Sequence, residues 1–349
     1  MADVYCDGQL TTGANDGSSW ADAYRGAAGL QAALDAAAAG DVIHVTRTFT
    51  LPDAIDVDIA SGLDGSPIRV VGYNYNGGAP VNDGTKAVLD ADATAANCIV
   101  ANDTDHWFWE NVEFANATAT GCEATGSRPM YWVFHRCDSH GHGGAGWGGA
   151  DHWQASVWHF CRAFDNGGDG WETSRISYSS LYACSSMGNT GRGFGVTNYT
   201  QIVACIASGN GSDGFFLSIA SLLHCVADGN GGDGLHVGLG PVRVAFCRLT
   251  NSSAYGIDAS GNTTLAMHCF LASNGSGDTN GSAIFVEDQG VSTLLTSGEV
   301  GYEDRSADRF NLRLGAAGYA RDADLGGGNR LRAPMGLPTM IVPRLGGSE

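Results

Sequence analysis

One set of acidic residues recurs at equivalent places in successive segments of the chain. Three segments carry an aspartate directly before a glycine, namely Asp169, Asp213 and Asp233. Arg192 takes the equivalent place between the first two. Carboxylates stacked about 5 Å apart on neighbouring strands raise one another's pKa or bind a cation such as Ca²⁺, and an arginine beside them neutralises an anionic substrate. These four residues are the candidate catalytic set, although Asn-Gly-x-Asp-Gly is also strong turn chemistry by itself.

A second candidate set lies in the strand that follows each of these turns. His236 and Asp258 fall one repeat apart and are predicted to form a hydrogen-bonded dyad for proton transfer. Glu172 lies two or more repeats from either residue. The alternative, that these are ordinary exposed polar side chains, stays open.

Aromatic residues concentrate in residues 106–171, which hold seven of the eight tryptophans and six of the ten histidines. At the centre is a glycine-rich stretch, 139–153, which we expect to be an inserted loop. The candidate glycan-binding residues are Trp147, Trp153, Trp171 and His152. Local packing explains these aromatic side chains equally well. His140 and His142 form an H-x-H pair, which indicates a metal site only weakly.

The elements that must position these residues follow from a repeat. Seven cysteines recur at intervals of 20 to 24 residues: Cys137, Cys161, Cys184, Cys205, Cys225, Cys247 and Cys269. Each cysteine is followed by a short strand, an Asn/Gly/Asp turn and a second strand such as GFFL or GLHV. A fixed period in the twenties is typical of a solenoid. The pattern predicts an all-β, single-stranded parallel β-helix with rungs of about 22 residues.

Equivalent residues of a β-helix stack along its axis. The cysteines are therefore predicted to form a column of small buried side chains with free thiols. The asparagines are predicted to form a ladder of stacked amides, comprising Asn166, Asn189, Asn210, Asn230 and Asn251. Because the chain has no C-x-x-C motif, a zinc ribbon or thioredoxin-type site is disfavoured.

The ends of the chain differ from the repeats. Residues 17–40 have apolar residues at helical spacing and are predicted to be an amphipathic helix that caps the first rung. We expect three regions: a strand and capping helix in 1–40, the β-helix in 41–300, and a C-terminal cap with an extended Pro-rich arm in 301–349.

Composition excludes several classes of protein. The 349 residues include 52 glycines and a single lysine and carry a net charge of −19. Abundant turn residues argue against an all-helical protein. The negative charge disfavours binding to nucleic acid or an anionic membrane, and no apolar stretch is long enough for membrane insertion. The first residues, MADVYCDGQL, have neither the basic nor the apolar region of a signal peptide, so we expect either that such a segment was removed before this numbering or that the protein is made and kept in a cytoplasm.

The opening NDGSSWADAY…LQAALDAAAAGDVIHV and the repeated unit C-x-A-x-x-N-G-x-D-G resemble the right-handed parallel β-helix proteins of the pectin-lyase-like superfamily. The resemblance covers roughly residues 1–330. It implies the fold but leaves the function open, because the superfamily includes polysaccharide lyases, glycoside hydrolases, epimerases, phage tailspikes and non-catalytic coils. The NTD-and-DD aspartate pattern of pectin-type hydrolases and the DPHE motif of alginate epimerases are absent. A lysine base is limited to Lys86.

Two functions follow as expectations. The first is a non-catalytic structural or adhesion protein, displayed on the virion surface of a phage-type particle after cytoplasmic assembly. It would be a decoration spike, fibre or tailspike-like homotrimer that binds host glycans and docks on capsid or tail proteins through the C-terminal arm. The alternative is a secreted polysaccharide lyase or glycoside hydrolase that acts on an acidic or capsular polysaccharide, with Ca²⁺ as a cofactor if it is a lyase.

Overall fold

The structure is a computed structural model that describes residues 1–74, 81, 83–126, 128–172, 175–285, 300–302 and 312–314. The chain divides into two compact units, 1–294 and 295–349. In the second unit, Val300–Tyr302 and Leu312–Leu314 pair as antiparallel strands. The Pro-rich arm falls outside the described residues and stays a prediction.

The first unit winds repeatedly through three parallel sheets. The first sheet comprises Asp3–Asp7, Tyr24–Arg25, Val42–Thr46, Ile68–Tyr73, Trp107–Glu110, Val133–His135, Val157–His159, Ser180–Tyr182, Gln201–Val203, Ser221–Leu223 and Val242–Ala245. The second comprises Thr48–Thr50, Ala87–Asp90, Val112–Ala115, Asp138–His140, Arg162–Phe164, Ser185–Met187, Ile206–Ser208, Val226–Asp228, Arg248–Thr250 and Phe270–Ala272. The third comprises Ile55–Val57, Ile99–Asn102, Cys122–Thr125, Trp147–Gly149, Phe194–Val196, Phe215–Ser218 and Leu235–Leu239.

Four further strands complete this unit. Tyr255–Met267 pairs with the third sheet through its first residues and with the first sheet through its last. Gly277–Phe285 pairs with that long strand. Trp153–Gln154 and Ile176–Ser177 form a short parallel pair of their own. The predicted all-β parallel β-helix is confirmed.

Neighbouring coils are in register, as the sequence repeat requires. Ala207 lies opposite Ala227, and Ala227 lies opposite Leu249. Sharp corners between the first and second sheets are made by residues in the left-handed conformation, such as His224 at φ 55° and Phe246 at φ 56°. These corners let each coil close within a constant number of residues.

Apolar side chains fill the inside of the coil. In the middle coils these are large rings in mutual contact, such as Phe134 and Trp158, whose centroids lie 5.7 Å apart. The stretch 139–153, predicted to be an inserted loop, is instead a regular part of the coil that includes the strand Trp147–Gly149. Its glycines serve stacking, since a Cβ at Gly143 would lie 2.2 Å from the Thr118 carbonyl oxygen of the previous coil.

The two predicted columns run through the interior. All ten cysteines are buried and free, and the Cys205 backbone N–H contacts the Cys225 Sγ at 3.4 Å. In the asparagine ladder, the Asn189 side-chain amide donates to the Asn210 Oδ1 at 2.9 Å. Asn251 is predicted from the sequence to belong to this ladder, but in the structure it lies outside it.

The equivalent position in the next coil belongs to Ser252, whose backbone N–H donates to the Asn274 Oδ1 at 3.1 Å. Asn251 turns outward in the left-handed conformation and donates to Asp228 at 2.7 Å. The repeat that contains it is therefore offset by one residue from the alignment made by sequence.

The N-terminal helix is shorter than the predicted 17–40. It spans Gly26–Asp35 and buries Leu30, Ala33 and Leu34 against the first coils. The residues before it form turns because the Asp22 carboxylate accepts the Ala14 backbone N–H at 2.7 Å and the Ser19 hydroxyl at 3.2 Å. Within the described residues, no helix has the length and apolar character needed to cross a membrane.

Candidate functional site

The aspartates before the repeat glycine do form a column, at the turns that lead into the third sheet. Each carboxylate accepts a backbone N–H from the next coil. Asp169 Oδ1 accepts from Arg192 at 2.7 Å, and Asp213 Oδ1 accepts from Asp233 at 3.0 Å. Asp233 Oδ1 accepts from Tyr255 at 2.8 Å. One oxygen of each aspartate therefore holds the turns together, as the structural alternative requires.

The other oxygens of two aspartates belong to a charged cluster. Asp213 Oδ2 lies 3.3 Å from Arg192 Nε. His236 Nδ1 lies 3.2 Å from Asp233 Oδ2 and 3.5 Å from Asp258 Oδ2. We call these five residues the aspartate–histidine cluster. The two sets that the sequence suggested separately thus meet in one place, whereas Asp169 lies at the end of the column before Arg192.

Stacking fixes the two cationic groups. The Arg192 guanidinium carbon lies 4.1 Å from the centroid of the Phe216 ring. On the next coil the His236 ring stacks parallel to Phe216, with centroids 5.0 Å apart and an interplanar angle of 8°. The side chains of Arg192 and His236 remain 32% and 33% exposed, against 12% and 8% for Asp213 and Asp233. The cluster therefore presents cationic groups to solvent over buried carboxylates.

The carboxylates change the acid–base behaviour of His236. Its pKa is raised above 6.5, first by the hydrogen bond to Asp233, against partial burial, and further by the charges of Asp213 and Asp258. Nδ1 faces the two carboxylates, and a protonated Nδ1 donates a hydrogen bond to Asp233 Oδ2. In the neutral ring this leaves the lone pair on Nε2, so that Nε2 is the proton acceptor. The arrangement suits a general base that works near neutral pH.

Three of these residues form the one group of at least three potential ligands in the described chain whose donor atoms lie close enough together to hold a metal. The ligand atoms of Asp213, Asp233 and His236 all lie within 4.8 Å of one another. Calcium takes six to eight oxygen ligands, whereas one donor here is a nitrogen and Asp213 is already paired with Arg192. These residues therefore fit Ca²⁺ poorly, and a calcium cofactor stays a prediction.

The three tryptophans predicted to bind glycans do not face solvent. Trp147, Trp153 and Trp171 are each 0% exposed. Their rings pack inside the coil, where Trp147 stacks on Trp171 with centroids 6.2 Å apart. The prediction was wrong for these residues because consecutive strand residues point to opposite faces, and a shift of one residue exchanges inside and outside.

The histidines of the same stretch lie apart from one another. His152 is half-buried, burial lowers its pKa, and its glycan-binding role stays a prediction. His140 pairs with Glu113 at 2.9 Å on the outer face of the second sheet. His142 lies inside, where its Nδ1 accepts the Ala117 backbone N–H at 3.0 Å and burial lowers its pKa to about 3. The H-x-H pair therefore forms no metal site.

No family model and no curated protein matches this sequence. Among solved structures, the pectate lyase Pel9A superimposes with a TM-score of 0.62 at 16% identity, over 96% of this chain and 94% of that one. The chain has the pectin-lyase-like parallel β-helix fold. An alginate lyase from Paenibacillus sp. str. FPU-7 gives a TM-score of 0.49 at 14% identity, over 82% of this chain and 98% of that one.

Geobacillus virus E2 ORF18 gives a TM-score of 0.44 at 13% identity, over 78% of this chain and 59% of that one. At 16% identity, the likeness to the pectate lyase establishes the fold of the chain alone. The chemistry of this pectin-lyase-like β-helix has to be argued from its own residues.

The outer face of the third sheet carries further polar groups in line with the cluster. Glu123 and Glu172 flank Gly148, where a Cβ would lie 2.1 Å from Glu172 Oε2. Burial raises the pKa of Glu123, and the charge of Glu172 adds to this effect. Glu123 is not among the residues predicted from the sequence, because it precedes the regular cysteine repeats that begin at Cys137. The period-two alternation of Cys122–Thr125 was the available signal.

Proposed function

We propose that this protein is a polysaccharide lyase that acts on a uronate-containing polysaccharide, with the aspartate–histidine cluster as its catalytic site. The observation that carries the proposal is His236, held between two carboxylates on the third sheet and close to the partly exposed Arg192, which packs on the same Phe216 ring. The shared fold with a protein named as a pectate lyase supports it.

The cluster contains the groups that β-elimination requires. The Arg192 guanidinium pairs with the uronate carboxylate and stabilises the negative charge that develops as the adjacent carbon loses its proton. His236 Nε2 takes that proton from C5, the electron pair forms a C4–C5 double bond, and the glycosidic oxygen leaves C4 and takes up a proton from water. Asp233 and Asp258 orient the imidazole and stabilise its protonated form. Arg192 also offsets locally the repulsion between this acidic protein and a polyanion.

Elimination fits the geometry better than hydrolysis. A glycoside hydrolase needs one carboxylic acid to protonate the leaving oxygen and one carboxylate to activate water or attack the sugar. In this cluster the outer oxygen of Asp213 is paired with Arg192, and that of Asp233 with His236. Both aspartates therefore act by positioning cationic groups, which are the residues that face solvent.

Turnover on a panel of polyuronates, capsular polysaccharides and neutral glycans tests the proposal, with and without Ca²⁺. Unsaturated products are followed by absorbance and reducing ends by a colour reaction. We expect elimination on a uronate polymer, reduced about 10²- to 10⁴-fold in His236→Gln. Arg192→Ala should lose activity on the uronate polymer to a similar degree. His224→Gln is the matched control, because His224 also stacks on a phenylalanine but at a corner between the first and second sheets.

Other outcomes would contradict the proposal in distinct ways. Reducing ends without unsaturated products would indicate a hydrolase. No turnover by folded protein on the whole panel would favour the predicted display role. Display on a particle, trimer formation and docking through the C-terminal arm stay predictions.

A further inference from the structure

Two histidines face each other on the outer face of the first sheet. His135 and His159 occupy equivalent positions on neighbouring strands. Their Nδ1 atoms lie 3.2 Å apart, and the ring centroids lie 5.1 Å apart at an angle of 42°. Both side chains are half-buried, so the pair is accessible to small solutes. The proposed catalytic site does not use either residue.

The separation of the two nitrogens matches that of two ligands of one metal ion. Metal–nitrogen bonds of about 2.0–2.1 Å at tetrahedral angles place two ligand nitrogens about 3.3 Å apart. A hydrogen bond between one protonated and one unprotonated nitrogen would give a similar distance. The binding experiment below separates these two explanations.

The surroundings hold the rings in place. Phe160 contacts both histidines, with ring centroids 6.0 Å from His135 and 4.3 Å from His159. Tyr182 lies 5.0 Å from His159 on the following coil. Neither imidazole has to be ordered from a freely rotating state when an ion binds, which lowers the entropic cost of binding.

The electrostatic environment keeps both rings in the state that binds metal. Only the neutral imidazole is a ligand. Partial burial is the largest cause of the lowered pKa of both histidines, and the charge of Arg136 lowers both further, whereas the charge of Glu110 raises the pKa of His135. Glu110 lies opposite His135 in the strand register and favours a cation. Arg136 disfavours one, and the Cys161 thiol is the remaining titratable group that acts on both rings.

We propose that His135 and His159 bind one divalent transition-metal ion through their Nδ1 atoms, with water in the remaining positions. Imidazole ligands suit Zn²⁺, Ni²⁺ and Cu²⁺, whereas Ca²⁺ and Mg²⁺ prefer oxygen. The site is a second function of the β-helix surface, on a different sheet from the aspartate–histidine cluster.

The test is a calorimetric titration of the untagged full chain, stripped with a chelator, with ZnCl₂ and separately with NiCl₂. We expect one saturable site per chain. His135→Gln and His159→Gln should each weaken binding by at least about tenfold. His224→Gln is the matched control and should bind as the unmodified chain does. CaCl₂ should give no competing signal at the same concentrations.

Two results would overturn the proposal. One is a calorimetric titration that shows only the heat of dilution, which would mean that no ion binds. The other is metal binding that survives in both His135→Gln and His159→Gln. If His236→Gln alone abolishes that binding, the ion lies at the aspartate–histidine cluster instead. If a variant does not fold, imidazole ¹⁵N resonances of the unmodified chain replace it. Shifts on Zn²⁺ addition confined to His135 and His159 support the site, and unchanged resonances for these rings reject it.

Discussion

Single hydrogen bonds decide the chemistry of the aspartate–histidine cluster. The hydrogen bond to Asp233 is the largest cause of the raised pKa of His236. Because the folded-state pKa lies above that of the unfolded chain, the interaction stabilises the fold fully below pH 6.5. That stabilisation is lost as the pH rises through the pKa of His236 in the folded protein. The neutral base, in contrast, accumulates over the same rise.

Asp233→Asn separates these two effects. The amide oxygen still accepts the Tyr255 N–H, but the charge that holds the proton on His236 is gone. We expect the pKa of His236 to fall and the rising limb of the kcat/KM profile to move to lower pH. An NMR titration of the His236 ring checks the first result and a pH–rate profile the second.

Asp258→Asn is the matched control, because its contact with His236 is longer, at 3.5 Å against 3.2 Å. It should shift the profile less. An unchanged profile in Asp233→Asn would reject His236 as the base.

The buried tryptophans allow a test that distinguishes interior packing from glycan binding. Trp147→Ala empties a site inside the coil and should lower the free energy of unfolding by about 3–5 kcal/mol. A glycan-binding role would instead predict weaker polysaccharide binding with stability unchanged. Chemical denaturation and a polysaccharide binding assay on the same variant distinguish the two, and unchanged stability would contradict the interior placement.

At the scale of elements, the turns between the second and third sheets depend on the asparagine ladder. Asn210 donates to the Ser186 carbonyl at 3.1 Å and to Asn230 Oδ1 at 3.0 Å. It also accepts from the backbone and side chain of Asn189. The Asn210 amide thus satisfies two buried backbone groups of the preceding coil and bonds to the amides of both neighbouring ladder members. The ladder thereby ties neighbouring coils together next to the catalytic column.

Removing one rung should therefore be costly. Asn210→Ala leaves several buried donors and acceptors unpaired, at about 1–3 kcal/mol each, so we expect a loss of at least about 2 kcal/mol in the free energy of unfolding. Asn251→Ala is the control, because that side chain lies outside the ladder and bonds to Asp228. Equal losses in urea unfolding of the two variants would contradict the placement of Asn251 outside the ladder.

At the scale of the whole molecule, the coil is stabilised without covalent cross-links. All ten thiols are free and buried in the described residues. Burial raises the pKa of the Cys6 and Cys98 thiols to about 12. A thiol with so high a pKa is a poor nucleophile at neutral pH. Stability then comes from contacts between neighbouring coils, which is the usual case for a solenoid.

A thiol-specific reagent checks this arrangement. The native protein should react slowly or not at all, and all ten cysteines should react after denaturation. A reducing agent should leave the melting temperature unchanged, because there is no disulfide to break. Fewer than ten reactive thiols in denaturant, or a lower melting temperature on reduction, would show that disulfides form in solution.

The sequence by itself determined the fold class and most of the stacked columns. The regular interval of 20 to 24 residues between cysteines, each followed by a turn and a strand, leaves few architectures other than a parallel β-coil. Because equivalent residues must stack once the coil closes, the cysteine column, most of the asparagine ladder and the aspartate column follow from alignment alone. These inferences use only spacing along the chain, which the primary structure contains in full.

Only the tertiary structure decided which residues face inward and which meet. The tryptophans lie on the inner face rather than the predicted outer face. Side chains in a strand alternate between the two faces, and the sequence does not define the strand register to one residue. The same uncertainty of one residue explains why Ser252, and not Asn251, occupies the position equivalent to the ladder asparagines. The cluster joins Arg192, Asp233 and Asp258 from three different coils, and the direction in which each side chain turns depends on the rings and carboxylates packed against it.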